Sequence, residues 1–390
     1  MTVLVLSVAG FLLYLTVERV KIDRWRRRIP QIMIVTGTRG KSSVVRMLTS
    51  VLRADGRQVL AKTTGSSPRL LWPDGTETEI KRRGPASILE QKALIKQAAT
   101  LKVDYLVAEV MSIHPENHYV EAQQILKPDV VAITNCWPDH VDAQGDTEKD
   151  VAVTLCRGIP ERATVIVTAA SNSTVIQSKV EASFGRCVVV EQNASESTRQ
   201  RIPELHEVEF SENVDLAYGL AKHLGIEDRP IAEGLARVGR DPGAFAMRTL
   251  RVGEPAKRLI VVNAFAANDP TSTFRVLSKA QAVAPAISGV VGLMCLRSDR
   301  ADRTAYWLEA LGSGTSIPFR RLYVAGGHAN ALVRRVPIAQ KLSHDSPKHI
   351  MQAVARNVDD DTVVFGFGNF VGMGSQLTEY WNREGVVYGI

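Results

Sequence analysis

The chain has 390 residues, of which 45% are hydrophobic and 23% charged, and this composition excludes a disordered or low-complexity chain. The length suits two domains, and four widely separated cysteines favour a reducing compartment over a disulfide framework. The net charge of +7 does not indicate a nucleic-acid partner, because more than half of it comes from one short segment and no basic stripe with aromatic partners is present.

The N-terminal segment has the pattern of a membrane anchor. Residues Thr2–Val17 carry no charge, and the following stretch from Glu18 to Arg28 contains six basic and two acidic side chains. Sixteen apolar residues are few for a spanning helix, but tilt or local bilayer thinning accommodates them. Charges placed after the apolar run oppose a secretory signal and, by the positive-inside rule, leave the rest of the chain in the cytoplasm. We therefore predict a single-pass anchor in the cell membrane with the body of the chain in the cytoplasm; the alternative is a buried N-terminal helix of a soluble fold.

Beyond the anchor, apolar β-branched runs alternate with helix-like stretches, which predicts α/β domains with parallel sheets covered on both faces. The glycine- and proline-rich stretch Gly239–Gly253 indicates a domain boundary. We predict an anchor and basic collar over 1–29, a central α/β domain over 30–240, to which the loop described next assigns ATP binding, and a smaller C-terminal α/β domain over 245–390. The predicted strands are Gln31–Thr36, Tyr105–Val110, Val130–Thr134, Thr164–Thr168, Cys187–Val190, Leu259–Phe265, Gly289–Leu296, Arg321–Ala325 and Thr362–Gly366.

The stretch "TGTRGKSS" between the first strand and a helix has the pattern of a phosphate-binding loop. Backbone N–H groups and the positive helix end would face the anion, Lys41 would add a charge, and the Ser42 hydroxyl could ligate Mg²⁺. The alternative is a glycine-containing turn with no ligand. The predicted nucleotide-binding residues in this loop are Thr36, Gly37, Thr38, Arg39, Gly40, Lys41, Ser42 and Ser43.

The compact T-G-T-x-G-K-[ST] form of the loop resembles that of the Mur ligase superfamily, which includes folylpolyglutamate synthetase. Four further stretches resemble superfamily motifs in the same order: "VAEVMS", "NCWPDHVD", "DPGAFAMR" and "NAFAANDPTST". Each is weak alone, since a carboxylate at a strand end is often a cap, but five in order are strong together. The resemblance implies a Mur-ligase-like fold that uses ATP and Mg²⁺. It also implies catalytic roles for Lys41, Glu109, His140 and Arg248, metal contacts from Ser42, Glu109 and His140, and nucleotide contacts from Asn135, Asn268 and Asp269.

Several details narrow the resemblance to the ligase subunit of poly-γ-glutamate synthases. They are the N-terminal anchor and the stretches "KTTGSSPR", "RRGPASILEQK" and "CLRSDRADR". This resemblance implies an ATP-dependent acid–amino-acid ligase that joins glutamate to a growing chain through γ-linkages by way of an acyl phosphate. It implies as partners glutamate, the growing poly-γ-glutamate chain, the membrane and small membrane-embedded synthase subunits. It also implies that the substrate domain preceding the loop in wall-precursor ligases is missing.

Two rival functions remain open. One is a superfamily ligase that adds a glutamyl tail to a small acceptor such as folate, and the other is a membrane-bound P-loop ATPase switch that makes no amide. The sequence also departs from the superfamily pattern. The region "VAVTLCRGIP" contains no lysine that could be carbamylated to bridge two metals, and Lys149 comes too early. The second metal site, at His140, is therefore less supported than the first.

Two side-chain clusters invite sharper interpretations. The pair His114 and His118 has helical spacing, but no third metal ligand is evident, and we predict a solvated or capping role. The alternation of arginine and aspartate in "RSDRADR" is typical either of a capped helix start laced with ion pairs or of carboxylate recognition, since arginine binds carboxylates in a bidentate way. Both interpretations of Arg297, Arg300 and Arg303 stay open.

Overall fold

The computed structural model describes residues 2–65, 67–82, 84, 86–202, 210–239, 243–267, 269–284, 289–312, 318–343 and 346–388. The chain divides into two compact units, Met1–Gly239 and Arg240–Ile390. This division falls inside the glycine- and proline-rich stretch that the sequence marks as a boundary. The predicted nucleotide contact Asn268 lies outside the described residues.

The first unit begins with a single helix, α1 (Thr2–Arg26), which is long and apolar enough to cross a bilayer. Residues 2–17 are exposed along their whole length. From Glu18 onward the same helix packs on the body, where Ile22 belongs to the hydrophobic core, as does Ile29 just after the helix. The segment predicted to be a basic collar is therefore part of the first unit. An N-terminal deletion that leaves this packed segment intact must end at Val17.

The sheet of the first unit has, within the described residues, the strand order β4-β3-β2-β5-β1-β6-β7-β8. Six of these strands run parallel, namely β2, β5, β1, β6, β7 and β8. The short strands β3 and β4 extend the sheet with antiparallel pairing. Residues 32–36 of β1 are all buried, as expected for a parallel strand covered on both faces. The bounds are β1 Gln31–Thr36, β2 Val59–Thr63, β3 Arg69–Leu71, β4 Glu77–Glu79, β5 Tyr105–Glu109, β6 Val130–Ile133, β7 Thr164–Thr168 and β8 Arg186–Val190.

Helices cover both faces of this sheet. Their bounds are α2 Lys41–Ala54, α3 Glu90–Leu101, α4 Pro115–Tyr119, the π-helical segment Val120–Leu126, α5 Val141–Gln144, α6 Glu148–Cys156, α7 Thr174–Ala182, α8 Glu196–Gln200, α9 Ser211–His223 and α10 Asp228–Ala236. One face of the sheet carries the core around α2, α9 and α10, and the other carries the core around the end of α1, α3, the π-helical segment, α6 and α7.

The second unit is built on a sheet with the order β13-β12-β11-β14-β10-β9-β15 in the described residues. Strands β10 to β14 are parallel, and β9 and β15 lie antiparallel at one edge. The strands are β9 Ala246–Val252, β10 Lys257–Asn263, β11 Val290–Leu296, β12 Arg321–Gly326, β13 Ala339–Leu342, β14 Thr362–Gly368 and β15 Val386–Val387. The helices are α11 Pro270–Val283, α12 Ala301–Gly312, α13 Ala329–Arg335, α14 Pro347–Arg356 and α15 Ser375–Glu384, with a short π-helical segment at Phe370–Gly374.

The predicted α/β class with parallel-rich sheets is confirmed, and each predicted strand is present to within a few residues. The sequence missed β2, because Lys62 interrupts its apolar run, although that lysine is buried in the strand. It also missed β9, which begins inside the stretch interpreted as a boundary and mixes buried, half-buried and exposed residues without a regular alternation. The short strands β3, β4, β13 and β15 carry too few residues for a periodic signal.

Candidate active site

The loop between β1 and α2 requires glycine at two positions. Gly37 has φ 123° and Gly40 has φ 82°, both in the left-handed region. A Cβ at Gly37 would lie 2.1 Å from Thr134 Oγ1, and one at Gly40 would lie 2.2 Å from Asn213 Oδ1. Helix α2 follows Gly40 without a side-chain cap. Its positive N-terminal end is therefore presented as an anion-binding site, as the sequence pattern predicts.

The side chain of Lys41 is held under this loop. Its Nζ donates to the carbonyl oxygens of Gly37 at 2.6 Å and Thr38 at 3.2 Å. Burial lowers the pKa of Lys41, while the carboxylate of Glu109 acts in the opposite direction. The arrangement concentrates positive charge at the point where the loop turns into the helix.

The predicted metal-binding pair, Ser42 and Glu109, is brought into direct contact. Glu109 is the last residue of β5, next to Val35 of β1 in the sheet, and its side chain is buried. Its Oε2 accepts hydrogen bonds from Ser42 Oγ at 2.7 Å and from the backbone N–H of Thr64 at 2.8 Å.

A hydroxyl and a carboxylate are hard oxygen donors that suit Mg²⁺, which proteins hold through one or two carboxylates together with phosphate oxygens. In the part of the chain that the structure describes, no group of three or more His, Cys, Asp or Glu side chains forms a metal cage. The donor set therefore fits a divalent ion that is shared with a phosphate, and does not fit an ion held by the protein alone.

The segment after β6 clamps the loop from its other side. Asn135 Oδ1 accepts from the Arg39 N–H at 3.1 Å, and Asn135 Nδ2 donates to the Arg39 carbonyl at 3.0 Å. The Arg39 guanidinium pairs with Asp139 at 3.1 Å, and Asp139 Oδ1 accepts from the backbone N–H of His140 at 2.9 Å. His140 thus joins the loop through Asp139, in a left-handed conformation (φ 51°) at the start of α5.

A buried carboxylate that sequence reasoning missed positions the chain just beyond Glu109. Glu121 is fully buried and accepts hydrogen bonds from the backbone N–H groups of Met111 at 3.1 Å and Ser112 at 2.9 Å. It also accepts from Gln91 Nε2 at 2.6 Å. The signal was present, because Glu121 lies four residues before Ile125, which is in the core, and this spacing places both on one helical face.

The prediction that His118 is solvated or capping is wrong. His118 is fully buried, and burial lowers its pKa to about 4, so its imidazole is neutral at pH 7. Its Nδ1 lies 3.2 Å from Ser112 Oγ and its Nε2 lies 3.4 Å from Thr36 Oγ1, at the end of β1. His114 is exposed, as predicted. His118 is therefore part of the support beneath the loop.

The stretches "KTTGSSPR" and "RRGPASILEQK" contact each other beside the carboxyl end of β5. Lys62 Nζ lies 3.0 Å from Glu90 Oε2, and Arg82 Nε lies 2.7 Å from Glu90 Oε1. Burial opposes ionisation of Glu90, but the hydrogen bonds from Arg82 and Lys62 outweigh it and lower the pKa of Glu90 to about 2. Burial lowers the pKa of Lys62. A charged network therefore adjoins the end of β5.

The remaining predicted site residues belong to the second unit. Arg248 lies on β9, and its Nε donates to Asn382 Oδ1 at 2.7 Å. Asp269 is buried and caps α11 by accepting from the Ser272 N–H at 2.8 Å. Their contacts with a nucleotide, like that of Asn268, stay predictions.

Two further details bear on the sequence analysis. Arg297 forms an ion pair with Asp299, with 2.6 Å between Nη2 and Oδ2, just before α12, which accords with the interpretation of a helix start laced with ion pairs. Lys149 lies exposed in the first turn of α6.

Two family models match the chain. The Mur ligase middle domain matches residues 35–226, which contain the loop, Glu109 and His140. The C-terminal domain of poly-gamma-glutamate synthase CapB matches residues 249–384. The chain belongs to the Mur ligase superfamily and is CapB-like.

Curated relatives of this CapB-like chain agree with the two models. It is 26% identical over 395 residues to PGA synthase CapB of Bacillus subtilis (strain 168), an alignment that covers 97% of each chain. It is 33% identical over 279 residues to the capsule biosynthesis protein CapB of Bacillus anthracis, which covers 71% of this chain and 59% of that relative.

Several solved structures share the fold of this chain. Escherichia coli FolC in complex with DHPP and ADP aligns with a TM-score of 0.62 at 16% identity, covering 94% of this chain and 92% of that one. Yersinia pestis folylpolyglutamate synthase/dihydrofolate synthase with AMPPNP and Mn aligns with a TM-score of 0.67 at 17% identity, covering 96% and 97%. MurF of Acinetobacter baumannii aligns with a TM-score of 0.58 at 13% identity, covering 93% and 79%. At these identities the likeness concerns the fold.

Proposed function

We propose that this chain is the ATP-dependent amide ligase of poly-γ-glutamate synthesis, which joins glutamate units through γ-linkages. The observation that carries the proposal is the match of residues 249–384 to the C-terminal domain of poly-gamma-glutamate synthase CapB, because that family model is specific to a poly-gamma-glutamate synthase by name.

The residues at the phosphate loop and at the end of β5 suit the activation of a carboxylate. A carboxylate is a poor acyl donor at neutral pH, and ATP with a divalent ion supplies the phosphoryl group that converts it to an acyl phosphate. Lys41 and the N-terminal end of α2 would hold the phosphates, and their fixed positive charge would stabilise the charge that develops during transfer. Ser42 and Glu109 would hold the ion, and His140 is proposed as a ligand of a second one.

The second unit is proposed to complete the nucleotide site through Arg248, Asn268 and Asp269, on the resemblance of their motifs alone. The amine of an incoming amino acid then displaces phosphate and forms the amide. Exclusion of water during this step protects the acyl phosphate from hydrolysis.

We further propose that α1 anchors the enzyme in the cell membrane with the catalytic body in the cytoplasm, where ATP is available. The exposed, uncharged residues 2–17 support this assignment. In this arrangement the growing polyanion passes to small membrane-embedded synthase subunits.

The test is the product formed by membranes that contain the full chain when they are given ATP, Mg²⁺ and labelled glutamate. We expect ADP release that depends on glutamate, together with a labelled polymer that resists peptidases specific for α-linkages. Label transferred to added folate would instead identify a folylpolyglutamate-type ligase. ADP release without glutamate would identify an ATPase switch.

A further inference from the structure

Helix α1 leaves the body at the same edge of the first sheet that carries the phosphate loop. Gln91, in the first turn of α3, donates through Nε2 to the carbonyl oxygen of Glu109 at 3.4 Å, which places this turn at the carboxyl end of β5. The next residue, Lys92, pairs with Glu18 of α1 at 2.8 Å. Glu18 therefore lies close to the level of Glu109.

The other end of α1 lies at the opposite edge of the sheet. Arg26 Nε donates to the carbonyl oxygens of Leu126 and Lys127, each at 3.1 Å, at the point where the π-helical segment ends before β6 begins. Lys127 in turn pairs with Asp23 at 3.0 Å. Helix α1 thus runs from the carboxyl edge of the sheet at Glu18 to the amino edge at Arg26.

The attachment between these two edges is continuous. Ile22 is buried in the core, Lys96 of α3 lies over the Trp25 ring at 5.7 Å, and Arg19 Nη1 donates to the Gln124 carbonyl at 2.7 Å. Since α1 is one unbroken helix, its direction fixes where the exposed part goes. Residues 2–17 project past the carboxyl edge for about 24 Å, at 1.5 Å for each residue.

We propose that the carboxyl edge of the first sheet, with Lys41, Ser42 and Glu109, faces the lipid bilayer. The proposal rests on the proposed membrane anchor. A bilayer is the occupant that fits residues 2–17, because they are uncharged and exposed on every side of the helix, and a projection of about 24 Å approaches the hydrocarbon thickness of about 30 Å. The segment Glu18–Arg26 of α1, which packs on the first unit, then holds that unit in a fixed orientation relative to the bilayer. In this orientation the phosphate loop opens toward the membrane surface and not toward the cytoplasm.

This orientation has a consequence for the reaction. An elongating polyanion that forms at this edge emerges next to the bilayer, where a membrane-embedded partner can take it without diffusion through the cytoplasm. A flexible tether of the same length would allow every orientation of the body and would not give this proximity.

The two ends of α3 offer a matched pair of probes. Leu89, directly before α3, and Leu101, its last residue, are both exposed leucines, at the carboxyl and amino edges respectively. They lie about 18 Å apart along the helix. Three native cysteines are buried, and Cys187 is half-buried, so a Cys187→Ser background allows selective labelling of Leu89→Cys or Leu101→Cys.

The experiment places each fluorophore-labelled full chain in vesicles of phosphatidylcholine and phosphatidylglycerol that contain a lipid with a nitroxide on its headgroup. A chain labelled at Leu12→Cys reports whether α1 enters the bilayer. We expect quenching at position 89 to be at least about threefold stronger than at position 101, given their separation of about 18 Å. Equal quenching at the two positions, or stronger quenching at 101, would overturn the orientation.

A second variant distinguishes a rigid connection between the anchor and the body from a flexible one. Insertion of a glycine–serine linker between Val17 and Glu18 keeps the anchor and the docked segment, and we expect it to abolish the difference between positions 89 and 101. A difference that survives the linker would show that some other contact orients the body.

Glutamate-dependent ADP release is measured in the same vesicles. Intact release with equal quenching rejects the orientation alone, and lost release with unequal quenching rejects the ligase function alone. If α1 does not insert and the chains associate with each other instead, the orientation is rejected together with the anchor.

Discussion

Both sheets have a central strand that leads into a helix, but the two helix starts differ in chemistry. Helix α2 begins after Gly40 with no side-chain cap, whereas α11 begins after Asp269, whose carboxylate already accepts the Ser272 N–H, and continues with Pro270. A helix capped by its own carboxylate presents negative charge where an anion would bind. This difference supports our proposal that the first unit holds the phosphates, and we expect the helix start of the second unit to serve stability.

The side chains that pack beneath the phosphate loop also differ in chemistry from those that pack against the strands of the second unit. Under the phosphate loop lie buried polar groups, namely Gln91, His118 and Glu121. In the second unit the strands rest on aromatic rings, including Phe265 stacked on Trp381 at 5.5 Å. Buried polar groups specify a geometry but must all be hydrogen-bonded, while aromatic packing contributes stability without that requirement. We therefore expect the stability of the region around the phosphate loop to depend more strongly on pH and on substitution than the stability of the second unit.

The largest expected effect comes from Lys41→Ala. We expect a loss of glutamate-dependent ADP release of a hundred- to about a thousandfold, since a positive charge held at the phosphates acts mainly in the transition state. The matched control is Lys149→Ala, which removes an exposed lysine from α6 and is expected to leave the rate unchanged. Normal activity of a folded Lys41→Ala chain would refute the phosphate assignment. A large loss in the control would point instead to a metal-bridging role for Lys149.

Acid should destabilise the first unit through His118. Its pKa in the fold is about 4 against the ordinary 6.5, so between these pH values the unfolded chain binds more protons. The free energy of unfolding is then expected to fall by about 3 kcal/mol as the pH drops from 6.5 to 4. Thermal unfolding of the wild type and of His118→Gln over this range checks it. The variant should show a shallower slope, and identical slopes would contradict the assignment.

The two proposed metal ligands should differ in importance. Glu109 is buried and accepts a hydrogen bond from Ser42, whereas His140 is one-third exposed and is connected to the loop through Asp139. We expect Glu109→Gln to lose about tenfold more activity than His140→Ala, a difference of about 1.4 kcal/mol in transition-state stabilisation. Activity across a Mg²⁺ titration measures it, and a more severe loss for His140→Ala at saturating Mg²⁺ would reverse the order.

The smallest effect concerns the cap of α11. We expect Asp269→Ala to lower the stability of the second unit by about 1 kcal/mol, and Asp269→Asn to leave it nearly unchanged, because asparagine caps helices as well as aspartate does. Chemical denaturation of both variants tests this expectation. Equal stabilities for the alanine and asparagine variants would refute the cap as the source of stability. The activity of the stable asparagine variant then reports whether the carboxylate also serves the nucleotide.

Sequence reasoning succeeded where the pattern is local. The glycine turn, the lysine and the serine occupy consecutive positions, so strand, loop and helix could be predicted together from "TGTRGKSS". Glu109 was assigned on the resemblance of "VAEVMS" to a superfamily motif, and the structure places it at the end of the buried strand β5. His118 was misjudged, since spacing along a helix says which residues share a face but not whether that face is covered.

The amino-acid sequence by itself determined the α/β class, the phosphate loop and the apolar helix, because each depends on neighbours within a few residues. Only the tertiary structure decided that Lys62 pairs with Glu90 in a network with Arg82, and that Glu121 holds the chain beyond Glu109. It alone decided that α1 docks from Glu18 to Arg26 and so points its apolar half past the carboxyl edge. These facts join residues far apart in the sequence, and burial with hydrogen-bond partners arises only when the packed elements bring such residues together.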